Sequence, residues 1–342
     1  MKRKILSTLT TAAVAAAMLP AAASAAPTAD DPQPIAPASV PAAGAQPDPD
    51  GTVSPMIVGG RPATQTYRGL GSLQYQRGDN PNFHECEVNL WAPPEQAAHA
   101  GTRPVLARHA VTNAHCVTEY PTATLEDPRS FHMRFNSNDR LAGGIETGAW
   151  KSAVYPTWSW GANPPGTVQG DIAVLWLTRP VYTLPSVMPP PAGMKRVPMG
   201  SARILGWGYT AYPWDQPDSP RELSELDTAM VDPSHCAAAA IDAGEVCVAD
   251  LNHPDRAACF GDSGGPVMVP VPKTRSLWYL IGTASRETAV ACAGPVVYTS
   301  VLYYRDWINQ TINGTYKHLG PPLRTRPINP PDYHWAGCGT GC

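Results

Sequence analysis

Charge is scarce in this sequence: only 15% of its 342 residues are Asp, Glu, Lys or Arg, against roughly 25% in ordinary soluble proteins. The formal net charge is −3. A balance so near neutrality gives no electrostatic footprint for nucleic acid or for an anionic membrane surface. Beyond the first residues, no stretch approaches the ~20 apolar residues that a membrane-spanning helix needs. No strand–helix–strand alternation is evident, which argues against a parallel sheet, and no internal repeat suggests a solenoid. No further ligand-type residues gather around a cysteine pair, and no cofactor motif is apparent, so neither a metal nor a cofactor is expected.

Proline is abundant, with 39 residues, much of it outside any plausible core. Residues 1–25 read as a secretory signal. Lys2, Arg3 and Lys4 form a basic start, Ile5–Leu19 is mostly apolar, and Ala23-Ser24-Ala25 supplies small residues at the cleavage point. A membrane anchor is the competing reading, but the apolar stretch is short for a span. Residues 26–56, poor in aromatics and rich in Pro, Ala, Asp and Gly, cannot bury enough apolar surface to offset their ordering entropy. They read as a propeptide, with a plain linker as the alternative. Export makes the eight cysteines readable as disulfides, although spacing alone does not choose the pairing.

From Ile57 to about Val301 the composition changes. Short apolar runs such as Val105–Ala107, Ile172–Leu177, Arg203–Leu205 and Trp278–Thr283 lie between Gly, Pro, Asn and Asp clusters. That pattern predicts many short strands joined by turns, in a sandwich or barrel. Two helices are expected, one through Cys236–Ile241 with Ser234 as its N-cap, the other over Leu302–Ile312. After Asn313 the chain is again Pro-rich, ending in Cys338 and Cys342, and reads as an appendage outside the main fold.

Three polar residues carry the chemistry. Gly261-Asp262-Ser263-Gly264-Gly265-Pro266 sets a serine among glycines. A serine hydroxyl is a poor nucleophile until a base removes its proton and donors meet the oxyanion it creates. Flanking glycines permit a tight turn that can aim N–H groups inward, and those of Gly261 and Ser263 are the candidates. A surface turn would explain a shorter Gly-Ser-Gly string, though not so easily all six residues. The base would be His115, within Thr112-Asn113-Ala114-His115-Cys116. Its orienting acid would be Asp171, heading the apolar run Ile172-Ala173-Val174-Leu175. Taken singly these signals are weak: an aspartate at a strand's mouth is often a turn cap. A lone histidine is usually structural, and His84, His99, His109 and His132 receive that reading.

Together the strings resemble the trypsin/chymotrypsin family of serine proteases, in a secreted, bacterial-type form. The resemblance covers about residues 57–312. It rests on Ile57-Val58-Gly59-Gly60, the His115 string, Asp171-Ile172-Ala173-Val174 and the Ser263 string, in that order, supported by Gly206-Trp207-Gly208 and Tyr298-Thr299-Ser300-Val301. His…Asp…Ser is the triad order of this fold. The resemblance implies an all-β fold of two antiparallel six-stranded β-barrels with the active site between them and a C-terminal helix. It implies His115 as general base and acid, Asp171 as its orienter, Ser263 as nucleophile, and Ser285 as the serine that hydrogen-bonds Asp171. It implies the pairs Cys86–Cys116, Cys236–Cys247 and Cys259–Cys292, leaving Cys338 and Cys342 either to close a small ring or, less plausibly, to bind metal. It also implies that an activating protease cuts before Ile57, whose new amino group pairs with Asp262. The expected partners are protein or peptide substrates, and the enzyme is expected to act as a monomer, with no nucleic acid or membrane partner.

The sequence departs from that family at several places. Glu87 and Val88 follow Cys86 where glycines are usual, with an insertion around Ala92–Arg103. Tyr155–Gly166 is long, so Trp158 and Trp160 either touch substrate or pack on the barrel. Around the specificity pocket, Ala257 and Ala258 offer no carboxylate, Arg286 and Glu287 follow Ser285, and Val296 stands where a glycine is usual. With Glu287 turned to solvent and compensated by Arg286, the pocket would prefer a small or medium uncharged side chain before the scissile bond; turned into the pocket mouth, Glu287 would restore attraction for a cation. An inactive binding protein and a serine esterase on the same fold are the rival readings.

Overall fold

The apolar runs become strands, and the turn residues between them become their connections. The computed structural model describes residues 57–92, 103–161, 167–210, 219–274, 276–289, 292–317 and 322–329, all within one compact unit, residues 35–342. The signal and propeptide segments, His99, most of the insertion after Ala92, part of the loop after Tyr155, and the pair Cys338 and Cys342 lie outside the described residues.

The first half supplies β1 (Leu70–Arg77), β2 (Asn80–Trp91), β3 (Val105–Thr112), β4 (Phe131–Phe135), β5 (Ile145–Val154) and β6 (Ala173–Thr183). They pair antiparallel in the closed order β1-β2-β3-β6-β5-β4 and back to β1, with registers such as Leu73↔Cys86, Ala110↔Leu175, Ala153↔Val174 and Leu73↔Met133. The second half supplies β7 (Gly200–Gly206), β8 (Ser224–Val231), β9 (Glu245–Ala249), β10 (Pro266–Pro270), β11 (Trp278–Glu287) and β12 (Val296–Ser300). These close in the order β7-β8-β9-β12-β11-β10, through pairs such as Ile204↔Leu226, Val246↔Tyr298 and Ile204↔Val267. The result is two closed six-stranded antiparallel barrels, and closure leaves no unpaired edge within either ring.

Each barrel holds its own core. Leu73, Val88, Leu90, Phe131, Met133 and Leu175 fill the first, and Ile57, Ile204, Leu226, Val267, Ile281 and Tyr298 the second. A third cluster, including Leu70, Val111, Ile172, Leu205, Trp207 and Val301, joins residues from both halves. Each fully buried Leu, Ile, Val or Phe contributes roughly 1.5–3 kcal/mol, so the junction is a packed core in its own right. Disulfides join Cys86 to Cys116, Cys236 to Cys247 and Cys259 to Cys292.

The helical segments differ slightly from expectation. The first is a short 3₁₀ helix, Pro233–Ala239, capped by the side chain of Asp232, which accepts the Ser234 N–H; Ser234 itself is not the cap. Asp232 precedes Pro233, which fixes φ at the first helical position, so the cap falls one residue earlier than Ser234 would give. The second, α1 (Val301–Ile312), starts at the Ser300 cap and buries Tyr304, Trp307 and Ile308. The C-terminal tail departs more. Residues 324–327 form β13, which pairs antiparallel with β5 through Arg324↔Val154 and Thr325↔Ala153, and so extends the first barrel's sheet. A Pro-rich composition hid this because a four-residue edge strand needs backbone pairing on one side only.

Candidate active site

His115 opens a single 3₁₀ turn, His115–Val117, directly after β3, and Cys116 ties that turn to β2 through Cys86. Asp171 stands just before β6, which pairs with β3, so strand register brings the two side chains together. The Asp171 carboxylate is buried and its oxygens are fully engaged. Oδ2 lies 2.8 Å from His115 Nδ1 and accepts from Ser285 Oγ at 2.6 Å and Asn113 Nδ2 at 2.9 Å, while Oδ1 accepts the His115 backbone N–H at 2.9 Å. Burial pushes this carboxyl's pKa up, but His115 and the donors outweigh it and hold it at about 2. Asp171 is therefore ionised at any working pH, and its contact fixes which His115 nitrogen faces it. Asn113, not singled out as an orienter from sequence, is visible only once the loop is folded.

The serine loop is held from the first barrel. Three groups of β2 grip its carbonyls: His84 Nε2 bonds Gly261 O at 2.9 Å, the Glu87 N–H donates to Ser263 O at 2.7 Å, and Asn89 Nδ2 donates to Gly264 O at 2.8 Å. Gly261 has φ +92, and a Cβ there would lie 3.0 Å from Gly208 Cα, so only glycine fits. His84, read from sequence as merely structural, is thus part of the loop's support. Its other nitrogen bonds Ser72 Oγ at 2.7 Å, and burial depresses its pKa to about 3, so it works as a neutral ring.

Glu87, marked by the sequence only as a departure from the usual glycines after Cys86, is fully buried. Its Oε1 accepts the Trp207 N–H at 2.7 Å. The point where a Cβ on Gly206 would stand is 1.9 Å from Asp262 Oδ1 and 2.9 Å from Glu87 Oε1, so the two carboxyl groups are neighbours. Burial and the Asp262 charge push Glu87 well above the usual carboxylate range. Asp262 accepts the N–H groups of Gly208 and Cys259 at 2.8 and 2.7 Å, and burial pushes it up to about 7.

A pocket beside Ser263 is lined by Ala258, Phe260, Ala284, Ser285, Glu287 and Val296, among others. Ser285 borders this pocket and also grips Asp171, which ties the serine side of the site to the histidine side. Ala257 does not line the pocket; it pairs with Val58 across an isolated bridge. Glu287 does line it, contrary to the solvent orientation expected from sequence. Nor does Arg286 compensate it, because that guanidinium is bound to both carboxylate oxygens of Glu245 at 2.5 and 2.8 Å. The physical reason is a register shift between Ala284 and Arg286 in the β11–β12 ladder, which re-aims the residues that follow. The sulfurs near His115 and Glu287 belong to the Cys86–Cys116 and Cys259–Cys292 disulfides and are not thiolates. Trp158 and Trp160 both flank His115, with ring centroids 6.4 and 6.0 Å from the imidazole, and Trp158 also packs into the first barrel's core.

Two closed barrels meet at a part-buried histidine held by a buried aspartate, beside a glycine-framed serine loop, and this arrangement defines a double-barrel fold class. The family model described as Trypsin matches residues 95–308, and the chain belongs to this family. It is 28% identical over 265 residues to human "Chymotrypsin-like elastase family member 3B", covering 70% of this chain and 83% of that protein. It is 28% identical over 259 residues to bovine "Proproteinase E", covering 70% of this chain and 88% of that protein. With rat "Transmembrane protease serine 11G" it shares 29% identity over 214 residues, 59% of this chain; the chain spans only 47% of that relative's length. These relatives are animal proteins and lend no support to a bacterial-type reading. Among the described residues no helix is long and apolar enough to cross a membrane.

Proposed function

We propose that this protein is a serine endopeptidase in which Ser263 is the nucleophile, His115 the general base and acid, and Asp171 its orienter. The observation that carries the reading is the four-donor grip on Asp171, with Ser285 linking it to the pocket beside Ser263. Ser263 Oγ attacks the scissile carbonyl as His115 takes its proton. The Gly261 and Ser263 N–H groups meet the oxyanion, and His115 then returns the proton to the leaving amine. Water, deprotonated by the same histidine, releases the acyl group. An esterase would use the same groups, but β11 beside the pocket offers an extended backbone for pairing with a peptide, which favours amide substrates.

Activation follows by cleavage between Met56 and Ile57 by another protease. Two features support this. Ile57 is buried in the second barrel with φ +60, a conformation a β-branched residue holds at a cost of roughly 1–3 kcal/mol. Asp262 is a buried carboxyl that a new ammonium would neutralise. The leader at residues 1–25 supports secretion.

Before the scissile bond the pocket favours a small or medium uncharged side chain. Val296 narrows it, and Ala258 adds no charge. Glu287 does not spoil this near neutral pH, because burial, the largest cause raising its pKa, disfavours its charged form whether or not Asp262 is neutralised. Ser263→Ala tests the assignment: turnover of peptide anilides falls on the order of 10⁶-fold, and adding His115→Ala costs little more. Near-normal hydrolysis by pure Ser263→Ala protein would refute it.

A further inference from the structure

We infer that Glu287 is the charge-selecting residue of the specificity pocket. In its protonated form it admits uncharged side chains, and in its ionised form it accepts a lysine or arginine side chain. The inference rests on the peptidase reading for its substrate, though not for its chemistry.

Glu287 ends β11, past the register shift at Ser285, and lines the same pocket as Ser263, Ala258 and Val296. Ala258 adds no charge to this pocket, and Glu287 is the only carboxylate among its lining residues. From its own strand, Arg286 also lines the pocket, but its guanidinium is committed to both carboxylate oxygens of Glu245 and to the carbonyls of Ala239 and Ala240. From the serine loop, the Asp262 carboxylate opposes its ionisation until the Ile57 ammonium neutralises it, after which burial alone does so, and Ser263 contributes a neutral hydroxyl. From the segment before β12, the Cys292 N–H donates to it, while the Cys259–Cys292 disulfide is neutral. Beyond Ser285, Asp171 adds another negative charge, paired to His115. Among the described residues no cation forms an ion pair with Glu287.

A carboxylate so placed has strong reason to keep its proton and one way to lose it: the arrival of a cation in the pocket. Its pKa near 8 is the unliganded consequence of that environment. Binding an ammonium then ejects one proton from Glu287 to solvent, and the resulting ion pair is desolvated on both sides. Binding an uncharged side chain ejects none. Selectivity between a cation and its neutral isostere must therefore rise with pH, whatever the depth of the pocket.

Lysine and norleucine provide the comparison, since they share a stem and differ in charge. Two measurements are made on the mature protein. In the first, kcat/KM for matched peptide anilides ending in Lys or norleucine is followed from pH 6 to pH 9. The Lys:norleucine ratio is expected to rise at least about tenfold in wild type and to stay flat in Glu287→Gln; the shared titration of the catalytic groups cancels in the ratio. In the second, calorimetry in buffers of different ionisation enthalpy follows binding of the corresponding peptide acids at pH 7. The Lys peptide is expected to release close to one proton, the norleucine peptide none. Proton release without turnover of either anilide would uphold this inference while overturning the peptidase reading. Turnover with a pH-flat ratio in wild type, and no proton release, would overturn the inference and leave the peptidase reading standing.

Discussion

Glu87 shows how much one side chain can change between a local reading and a folded one. It follows Cys86 on a strand, and the sequence says only that a charged residue replaces glycine. Folding puts its carboxyl beside that of Asp262, with Trp207 N–H as its donor. Two buried carboxyl groups this close do not both ionise, so Glu87 is held as a neutral acid. A neutral acid and an amide are nearly isosteric. Glu87→Gln is therefore expected to change stability by less than about 1 kcal/mol, whereas Glu87→Ala, which leaves the Trp207 N–H unpaired and opens a cavity, should cost roughly 2–4 kcal/mol. Urea unfolding in a Ser263→Ala background, free of self-digestion, measures both. Equal losses in the two variants would mean that Glu87 is charged. The meeting of His115 with Asp171 was legible because each sits in a string whose chemistry is local, as does Ser263, the nucleophile proposed to work with them. Glu87, Glu287 and His84 were not, because their roles depend on what a distant strand brings opposite them.

At the scale of elements, strand positions followed from apolar runs and turn residues, but strand phase did not. The shift between Ala284 and Arg286 breaks the two-residue alternation at the point where the pocket wall begins, and no periodicity in the sequence announces it. The tail was similarly opaque: β13 exists because β5 offers it a partner, not because of any propensity of its own. Its docking reaches the site. Arg324 donates to the carbonyls of Trp158 and Ala123, and Arg326 to that of Leu125. Trp158 in turn donates from its indole to Thr118 Oγ1 at 3.0 Å, in the segment that follows His115. The tail thus braces the tryptophan loop that walls one side of the imidazole. Removing a charged donor from buried carbonyls costs roughly 1.5–3 kcal/mol. If part of that reaches the loop, Arg324→Ala should lower kcat/KM by about three- to thirtyfold, with a change in tryptophan fluorescence and retained cooperative unfolding. An unaltered kcat/KM would confine β13 to a stabilising role.

At the scale of the whole molecule, the two barrels divide the work. The first supplies His115, Asp171 and, through β2, the grip on the serine loop; the second supplies Ser263 and the pocket, so that on the proposed mechanism base and nucleophile come from different barrels. This division was legible from the order of the motifs, because residues so far apart in sequence can meet only if the fold brings them together. The disulfides brace each part locally: Cys86–Cys116 the histidine turn, Cys236–Cys247 the 3₁₀ helix on β9, and Cys259–Cys292 the pocket wall. The central claim is that this junction activates one serine among all those in the chain. Labelling of the mature protein with a fluorophosphonate, followed by mass-spectrometric mapping, tests it most directly. The account predicts one equivalent of label on Ser263, loss of peptidase activity in step with labelling, and little labelling in His115→Ala. Label at another serine, or peptidase activity that survives full modification of Ser263, would contradict it.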